Sequence, residues 1–163
     1  LIDTGMDSMT GGRLLRLKEY IQDQTFLMTY GDAVSDVNIE KVLNFHKSHG
    51  KQATLTATFP PGRFGALNIK DNQVLKFEEK PKGDGALING GYFVVNKKVL
   101  KTIKGNVSFE NGPLKILFEK NDVNVYRHNG FWGCMDTLAD KDNLEKIWES
   151  KNNWNNWEKK KKF

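Results

Sequence analysis

The sequence predicts an α/β fold built on a mixed sheet. Three observations carry this. Helical and extended patterns alternate along the chain. Residues 25–30, TFLMTY, form a nearly continuous apolar run, the pattern of a strand buried on both faces. A hairpin signal over residues 66–78 makes the sheet mixed rather than purely parallel.

The elements follow in order. Leu14, Leu17 and Ile21 recur at helical spacing, which predicts a helix over 13–21. The strand at 25–30 is ended by Gly31-Asp32. Ser35 is a candidate N-cap for a second helix running to His49, with Ile39, Val42, Leu43 and His46 on one stripe and Gly50 as the stop. Residues 53–59, ATLTATF, alternate and are rich in strand formers, and Pro60-Pro61-Gly62 ends them. Residues 66–69 and 74–78 flank Asp71-Asn72 as a hairpin. Residues 92–95 are a further strand. Helices are expected over 99–103 and 113–120, the second with Pro113 in its first turn. A short strand at 124–126 precedes a closing helix over 137–150, with Leu138, Leu144 and Trp148 as its apolar contacts.

Length and composition narrow the function. The 163 residues make one domain's worth of chain, with 38% hydrophobic and 28% charged residues and a mean hydropathy of −0.60. No apolar stretch reaches the roughly 18–20 residues of a membrane span. No basic lead followed by an apolar segment opens the chain. The net charge of +5 suggests a polyanion partner, yet Lys159, Lys160, Lys161 and Lys162 supply four of the five charges. The body is nearly neutral, so neither nucleic acid nor a membrane is an expected partner. The single cysteine, Cys134, cannot form an internal disulfide, which fits a reducing compartment such as the cytoplasm.

Several residues could do chemistry. Asp32 ends a buried strand, where open α/β sheets bind ligands, and follows a glycine that lets a ligand approach. It reads either as a carboxylate for Mg2+ on a phosphate or as a turn cap. Asp136, in FWGCMDT, is either a second carboxylate for the same ion or the N-cap of the last helix. Glu79-Lys80-Pro81 follows a strand, so it is either a hydroxyl- and phosphate-binding pair or an exposed ion-paired strand end. Ile88-Asn89-Gly90-Gly91 is either a hairpin turn or a close backbone approach with an amide on the ligand. Ser8-Met9-Thr10-Gly11-Gly12-Arg13, before the first helix, suits an anion or a polar base edge, or is an ordinary helix lead-in. His46 and His49 read as helix-surface residues. Neither a nucleophile with a partner base nor a GxxxxGK[ST] or GxGxxG loop is present.

Five ordered segments carry a resemblance: residues 3–21 (DTGMDSMTGGRLLRLKEYI), 26–39 (FLMTYGDAVSDVNI), 45–67 (FHKSHGKQATLTATFPPGRFGAL), 77–94 (FEEKPKGDGALINGGYFV) and 130–148 (GFWGCMDTLADKDNLEKIW). Together they resemble the glucose-1-phosphate cytidylyltransferase family of sugar nucleotidyltransferases. The resemblance implies a Rossmann-like α/β/α sandwich of the nucleotidyltransferase, GT-A-like type. Residues 1–150 would be the C-terminal part of that single domain, and 151–163 an Asn/Trp/Lys-rich tail. It implies transfer of a cytidylyl group from CTP to glucose 1-phosphate, giving CDP-glucose and pyrophosphate. It also implies Mg2+ as cofactor, a homo-oligomer, and a bacterial-type route to CDP-linked deoxyhexoses of surface polysaccharide, as in O-antigen lipopolysaccharide. By motif, Asp32 and Asp136 would bind the metal and, with Lys80, form the catalytic set. Ser8, Thr10, Gly11, Arg13 and Gly31 would contact the nucleotide. Gly65, Glu79, Lys80 and Asn89 would hold the sugar phosphate.

The sequence departs from the family pattern in places. The family's first strand and GGxGTR loop have no counterpart here, so an N-terminally truncated sheet and little activity of this stretch alone are expected. Ala33 stands for a usual Gly, Asn68 for a usual Asp, and Gly133-Cys134 for Gln-Pro. Three other readings compete: a transferase for another nucleotide or sugar, a non-catalytic sugar-nucleotide-binding remnant, and a polybasic surface binder acting through residues 159–162.

Overall fold

The computed structural model describes residues 1–62, 65–79, 83 and 86–150. Their contacts form two compact units woven from alternate stretches of chain. One holds Leu1–Thr29, Ile39–Leu55 and Tyr92–Tyr126; the other holds Tyr30–Asn38, Thr56–Gly91 and the chain from Arg127. The expected tail at 151–163 lies outside the described residues.

The order of elements is α1 (Thr10–Arg16), β1 (Thr25–Thr29), β2 (Ala33–Ser35), α2 (Ile39–His49), β3 (Ala53–Thr58), β4 (Ala66–Lys70), β5 (Gln73–Glu78) and β6 (Ile88–Asn96). A 3-10 turn at Lys97–Thr102 and a wide turn at Glu110–Leu114 follow. Then come α3 (Lys115–Glu119), β7 (Val123–Arg127), β8 (Trp132–Cys134) and α4 (Leu138–Glu149). The α/β class is as expected. The main sheet has the order β1-β6-β3-β7. β1 and β6 are antiparallel, with Thr25 opposite Asn96 and Thr29 opposite Tyr92. Bonds from Gln52 N to Asp122 O and from His128 N to Ala57 O advance in the same sense along β3 and β7, so the sheet is mixed.

In the first unit the core gathers Phe93, Val94, Val95, Val99, Leu100, Phe109, Leu114 and Leu117. Phe93 and Phe109 meet edge-to-face with ring centroids 5.5 Å apart. Two strand expectations are corrected here. β1 is half-buried, and Leu27 is 54% exposed, because β1 stands at the sheet edge among the described residues. β3 is buried at every position rather than alternately, because it sits between β6 and β7. Its threonines are therefore buried polar groups and need partners.

The histidines supply one. His46 is 4% exposed, a core residue and not a surface one. Its Nδ1 lies 2.9 Å from Thr54 Oγ1 and its Nε2 3.2 Å from Asn96 Oδ1. His49 Nε2 meets the same Thr54 hydroxyl at 2.8 Å. Gly50 ends α2 with φ +68, as its place after the stripe predicts. The predicted helix over 13–21 is shorter and earlier, at Thr10–Arg16. The stretch 99–103 forms part of the 3-10 turn. Pro113 lies in the wide turn before α3, where Leu114 N bonds Phe109 O at 2.9 Å, five residues back. That spacing accommodates a residue with no N–H.

In the second unit, β4 and β5 form the expected hairpin. Asp71 and Asn72 take φ of +47 and +66, the paired left-handed conformation of a type I′ turn. Leu67, Ile69, Val74, Leu75 and Phe77 on this hairpin are all more than half exposed. Ser35 does not cap α2. It lies in β2, pairs opposite Trp132, and its hydroxyl donates to Phe131 O at 2.8 Å. The β2–β8 ladder was not foreseen, because three-residue strands leave no period to detect. Along α4, Leu144 and Ile147 are half-buried while Leu138 and Trp148 are exposed, so of the three residues expected on its apolar side only Leu144 is largely covered.

Burial holds the His49 imidazole below its ordinary pKa of 6.5, and the charges of His46 and Lys51 push the same way. The unfolded chain therefore takes up that proton first. The contribution to stability is complete above the unfolded-state value, about 6.5, and is lost as pH falls through the lower folded value. Melting temperature should drop between pH 7 and 5, and His49→Gln should flatten that drop. Superimposable pH profiles of the two proteins would remove His49 from the account.

Candidate functional site

The expected site residues divide between the two units. Asp32, Asp136, Gly31, Gly65, Glu79 and Asn89 belong to one; Ser8, Thr10, Gly11 and Arg13 belong to the other. Lys80 lies outside the described residues.

The two aspartates are brought together by β2 and β8. These strands pair antiparallel, with Ala33 opposite Cys134, Val34 opposite Gly133 and Ser35 opposite Trp132. One step beyond the ladder, Met135 N donates to Asp32 O at 2.8 Å. Asp32 thus enters β2 where Asp136 leaves β8. Both are exposed. Asp136 Oδ2 accepts from Cys134 Sγ at 3.3 Å.

The alternative of Asp136 as a helix cap is corrected by one residue. The N-cap of α4 is Thr137, whose hydroxyl accepts from Asp140 N at 3.1 Å, while Asp140 Oδ2 accepts from Thr137 N at 3.0 Å. That reciprocal pair caps the helix and leaves the Asp136 carboxylate outside it. Two hard carboxylate oxygens at one ladder end form a donor set that suits a divalent cation shared with phosphates. No cluster of three or more His, Cys, Asp or Glu exists among the described residues, so further ligands would come from substrate or water. Space beside Gly31 is open: a β-carbon there would meet nothing within 4 Å.

The sugar-side residues lie on the hairpin and on β6. Gly65 and Glu79 bracket the hairpin, and both are exposed. A β-carbon on Gly65 would stand 2.6 Å from Phe77 Cε2 and 3.3 Å from Glu79 Oε2, so a larger residue would have to displace the Phe77 ring beside that carboxylate. Asn89 is in strand β6, not in a hairpin turn. Its Oδ1 accepts from Gly91 N at 2.9 Å and its Nδ2 lies 3.4 Å from Tyr30 Oη. An amide has two donors and two lone pairs, which leaves one of each for a ligand.

The Ser8–Arg13 stretch is knit into its own chain. Ser8 is buried; its hydroxyl donates to Thr4 O and accepts from Arg16 Nη1. Thr10 Oγ1 accepts from Phe109 N at 2.8 Å and donates to Glu110 at 3.3 Å. A β-carbon on Gly11 would press within 2.7 Å of Val107 O. Arg13 bonds Thr4 Oγ1 at 2.8 Å and Met6 O at 3.1 Å, using two of its five donors. Ser8, Thr10 and Gly11 therefore shape this segment more than they offer polar atoms from it. Tyr30 and Gly91, which touch Asn89, and Trp132, which bonds Gly90 O at 2.8 Å, carry no role in the sequence analysis. A cleft of about 710 Å³ also opens in the second unit, walled by Phe59, Pro60, Phe131, Trp132, Leu144 and Ile147 among others; none of the assigned residues lines it.

Comparison with known proteins shows the family. A family model described as nucleotidyl transferase matches residues 10–132. The chain is 55% identical over 161 residues to the glucose-1-phosphate cytidylyltransferase of Salmonella typhimurium, covering 97% of this chain and 63% of that protein. It is 39% identical over 159 residues to a probable glucose-1-phosphate cytidylyltransferase of Bacillus subtilis, covering 96% of this chain and 62% of the other. The chain thus spans under two thirds of these relatives' length. Two solved structures share the fold at low identity. One is a Bacillus anthracis protein in complex with a sucrose, provisionally described as a glucose-1-phosphate thymidylyltransferase. Its TM-score is 0.68 at 15% identity, over 91% of this chain and 65% of that one. The other is HddC of Yersinia pseudotuberculosis complexed with GMP-PN, with a TM-score of 0.62 at 21% identity, over 90% of this chain and 65% of that one.

The capping pair at Thr137 is testable. Thr137→Ala should destabilise α4 by about 1 kcal/mol. Amide exchange across the first turn of α4 should speed up in proportion. Unchanged exchange there would contradict the assignment of Thr137 as the cap.

Proposed function

We propose, for a chain that belongs to the nucleotidyl transferase family, that the whole protein transfers a cytidylyl group from CTP to glucose 1-phosphate. The products are CDP-glucose and pyrophosphate. The observation that carries this reading is the 55% identity to the Salmonella cytidylyltransferase, which runs over 97% of the chain. The pairing of Asp32 with the Asp136 segment at one ladder end supports it.

The chemistry asks little of a protein nucleophile. A phosphate oxygen of glucose 1-phosphate attacks the α-phosphorus of CTP. One P–O bond forms, the bond to the β-phosphate oxygen breaks, and pyrophosphate leaves with the electron pair. Catalysis is then alignment of two charged substrates and neutralisation of their charge. Asp32 and Asp136 would hold a divalent cation, Mg2+ by the hardness of the donors. When bound, that cation supplies positive charge to the phosphates. Lys80 meets the sugar phosphate as a point charge. Glu79 accepts from glucose hydroxyls, and Gly65 keeps the space beside its carboxylate clear. Asn89 offers its remaining N–H and lone pair to the same sugar. By the family resemblance Arg13 and Gly31 serve the nucleotide, while Ser8, Thr10 and Gly11 hold the Arg13 segment in shape. A homo-oligomer and a place in surface-polysaccharide synthesis belong to the same reading. Among the described residues no helix is long and apolar enough to cross a membrane.

Pyrophosphate release by the whole protein, measured with glucose 1-phosphate and CTP, UTP, dTTP or GTP, tests the nucleotide. CTP should give a kcat/KM at least about tenfold above the others, a margin one well-placed polar contact supplies. A higher value with any other nucleotide would overturn the cytidylyl assignment.

Asp32→Asn and Asp136→Asn should each lower kcat by about 10²–10³-fold. Each should also raise the cation concentration needed for half-maximal rate. Wild-type kinetics in either variant would remove that residue from the metal site.

A further inference from the structure

Two aromatic side chains that the proposed reaction leaves unused connect the cation residues to the sugar residues. Tyr30 stands two positions before Asp32, and Trp132 four before Asp136. Between them they reach three consecutive residues of β6, Trp132 at Gly90 and Tyr30 at Asn89 and Gly91. Trp132 Nε1 donates to Gly90 O at 2.8 Å. Tyr30 N donates to Gly91 O at 3.1 Å. Tyr30 Oη lies 3.4 Å from Asn89 Nδ2, and Asn89 Oδ1 holds Gly91 N at 2.9 Å.

Gly91 makes the tyrosine contact possible, and Gly90 sits close against Thr56. Gly91 has φ +77, a conformation that side-chain-bearing residues adopt only at a cost, and a β-carbon there would stand 2.8 Å from Tyr30 Cδ2. A β-carbon on Gly90 would stand 3.1 Å from Thr56 O and 3.5 Å from Trp132 Nε1. The tyrosine ring thus lies against bare backbone, and the indole reaches the carbonyl next to it.

β2 and β8 are three residues each, too short to hold two carboxylates firmly by their own ladder. The Met135–Asp32 bond ties the carboxylate segments to each other. The two aromatics tie each segment, separately, to residues 89–91. We propose that Tyr30 and Trp132 are positioning residues that couple the Asp32–Asp136 cation site to the sugar-binding amide of Asn89. A shift of β6 at the sugar is then felt at the cation, and the reverse. This rests on the roles proposed above for Asp32, Asp136 and Asn89.

Trp132→Phe in the whole protein keeps an aromatic ring and deletes the N–H. The KM for glucose 1-phosphate and the cation concentration for half-maximal rate should rise together by about tenfold, as loss of one buried N–H···O bond allows. The KM for CTP and the melting temperature should stay near wild type. Unchanged sugar and cation constants would overturn the coupling. So would an equal rise in both substrates' KM accompanied by a lowered melting temperature, the mark of a merely structural residue. Should Trp132→Phe fail to fold, Tyr30 carries the test. Tyr30→Leu should shift both constants, and Tyr30→Phe, which keeps the ring on Gly91, should restore them to within about threefold, since the hydroxyl contact is long. Equal effects of the two Tyr30 variants would overturn the proposal. Asp32→Asn, run in parallel, separates the two levels. If it leaves the cation dependence intact, the metal reading falls. If it shifts that dependence while Trp132→Phe and Tyr30→Leu shift nothing, only the coupling falls.

Discussion

The pairing of β2 with β8 is the interaction on which the rest of the site depends. Six residues form the ladder, and the next bond, Met135 N to Asp32 O, sets the two aspartate-bearing turns side by side. A slip of one residue would reverse the facing of every side chain and carry Asp136 away from Asp32. Steric and polar locks hold the register. Gly133 is buried, and a β-carbon there would stand 3.0 Å from Leu144 Cδ2, so the strand lies close under α4 at this residue. At the far end, Asp36 N and Ser35 Oγ both donate to Phe131 O. His128 Nε2 lies 2.9 Å from Asp36 Oδ1, and a β-carbon on Gly130 would clash with that same carboxylate. These contacts substitute for the length that the strands lack.

From that pairing the division of labour follows. The unit carrying Asp32 and Asp136 also carries Gly65, Glu79 and Asn89, so the residues proposed for the cation and for the sugar share one set of packed segments. The unit carrying Ser8, Thr10, Gly11 and Arg13 instead has the larger apolar core, and a buried Thr54 hydroxyl shared by two histidines. Its segment before α1 satisfies most of its polar atoms internally. Such a segment presents shape and one guanidinium, which suits recognition of a base more than chemistry on a phosphate.

Much of the fold was legible where an element is long or carries strong punctuation. The apolar periodicity of α2 with Gly50 after it and the Asp71-Asn72 turn became a helix with the expected C-terminal end and the expected hairpin, and the run at 92–95 became the inner part of a longer strand, Ile88–Asn96. Failures came where tertiary context outweighs local pattern. Nothing in TFLMTY says whether the strand is central or at an edge, and nothing in ATLTATF says that both faces are covered. His46 lies on the helix stripe with Val42, and that apolar periodicity was a better guide than its polarity. Within the site, the aspartates stood out because each follows a strand, a position with chemical meaning. Tyr30 and Trp132 did not, because their contacts are with residues of β6 far along the chain, and no spacing rule links them to Asn89, Gly90 and Gly91.

The central claim is that Asp32 and Asp136 hold one cation between them. Titration of the whole protein with Mn2+ in the presence of CTP, followed by electron paramagnetic resonance, tests it most directly. One ion per chain should be lost in Asp32→Asn and equally in Asp136→Asn, with the double variant no worse than either alone, because both changes empty one site. Losses that add in the double variant, or a full complement of bound ion in either single variant, would contradict a shared site.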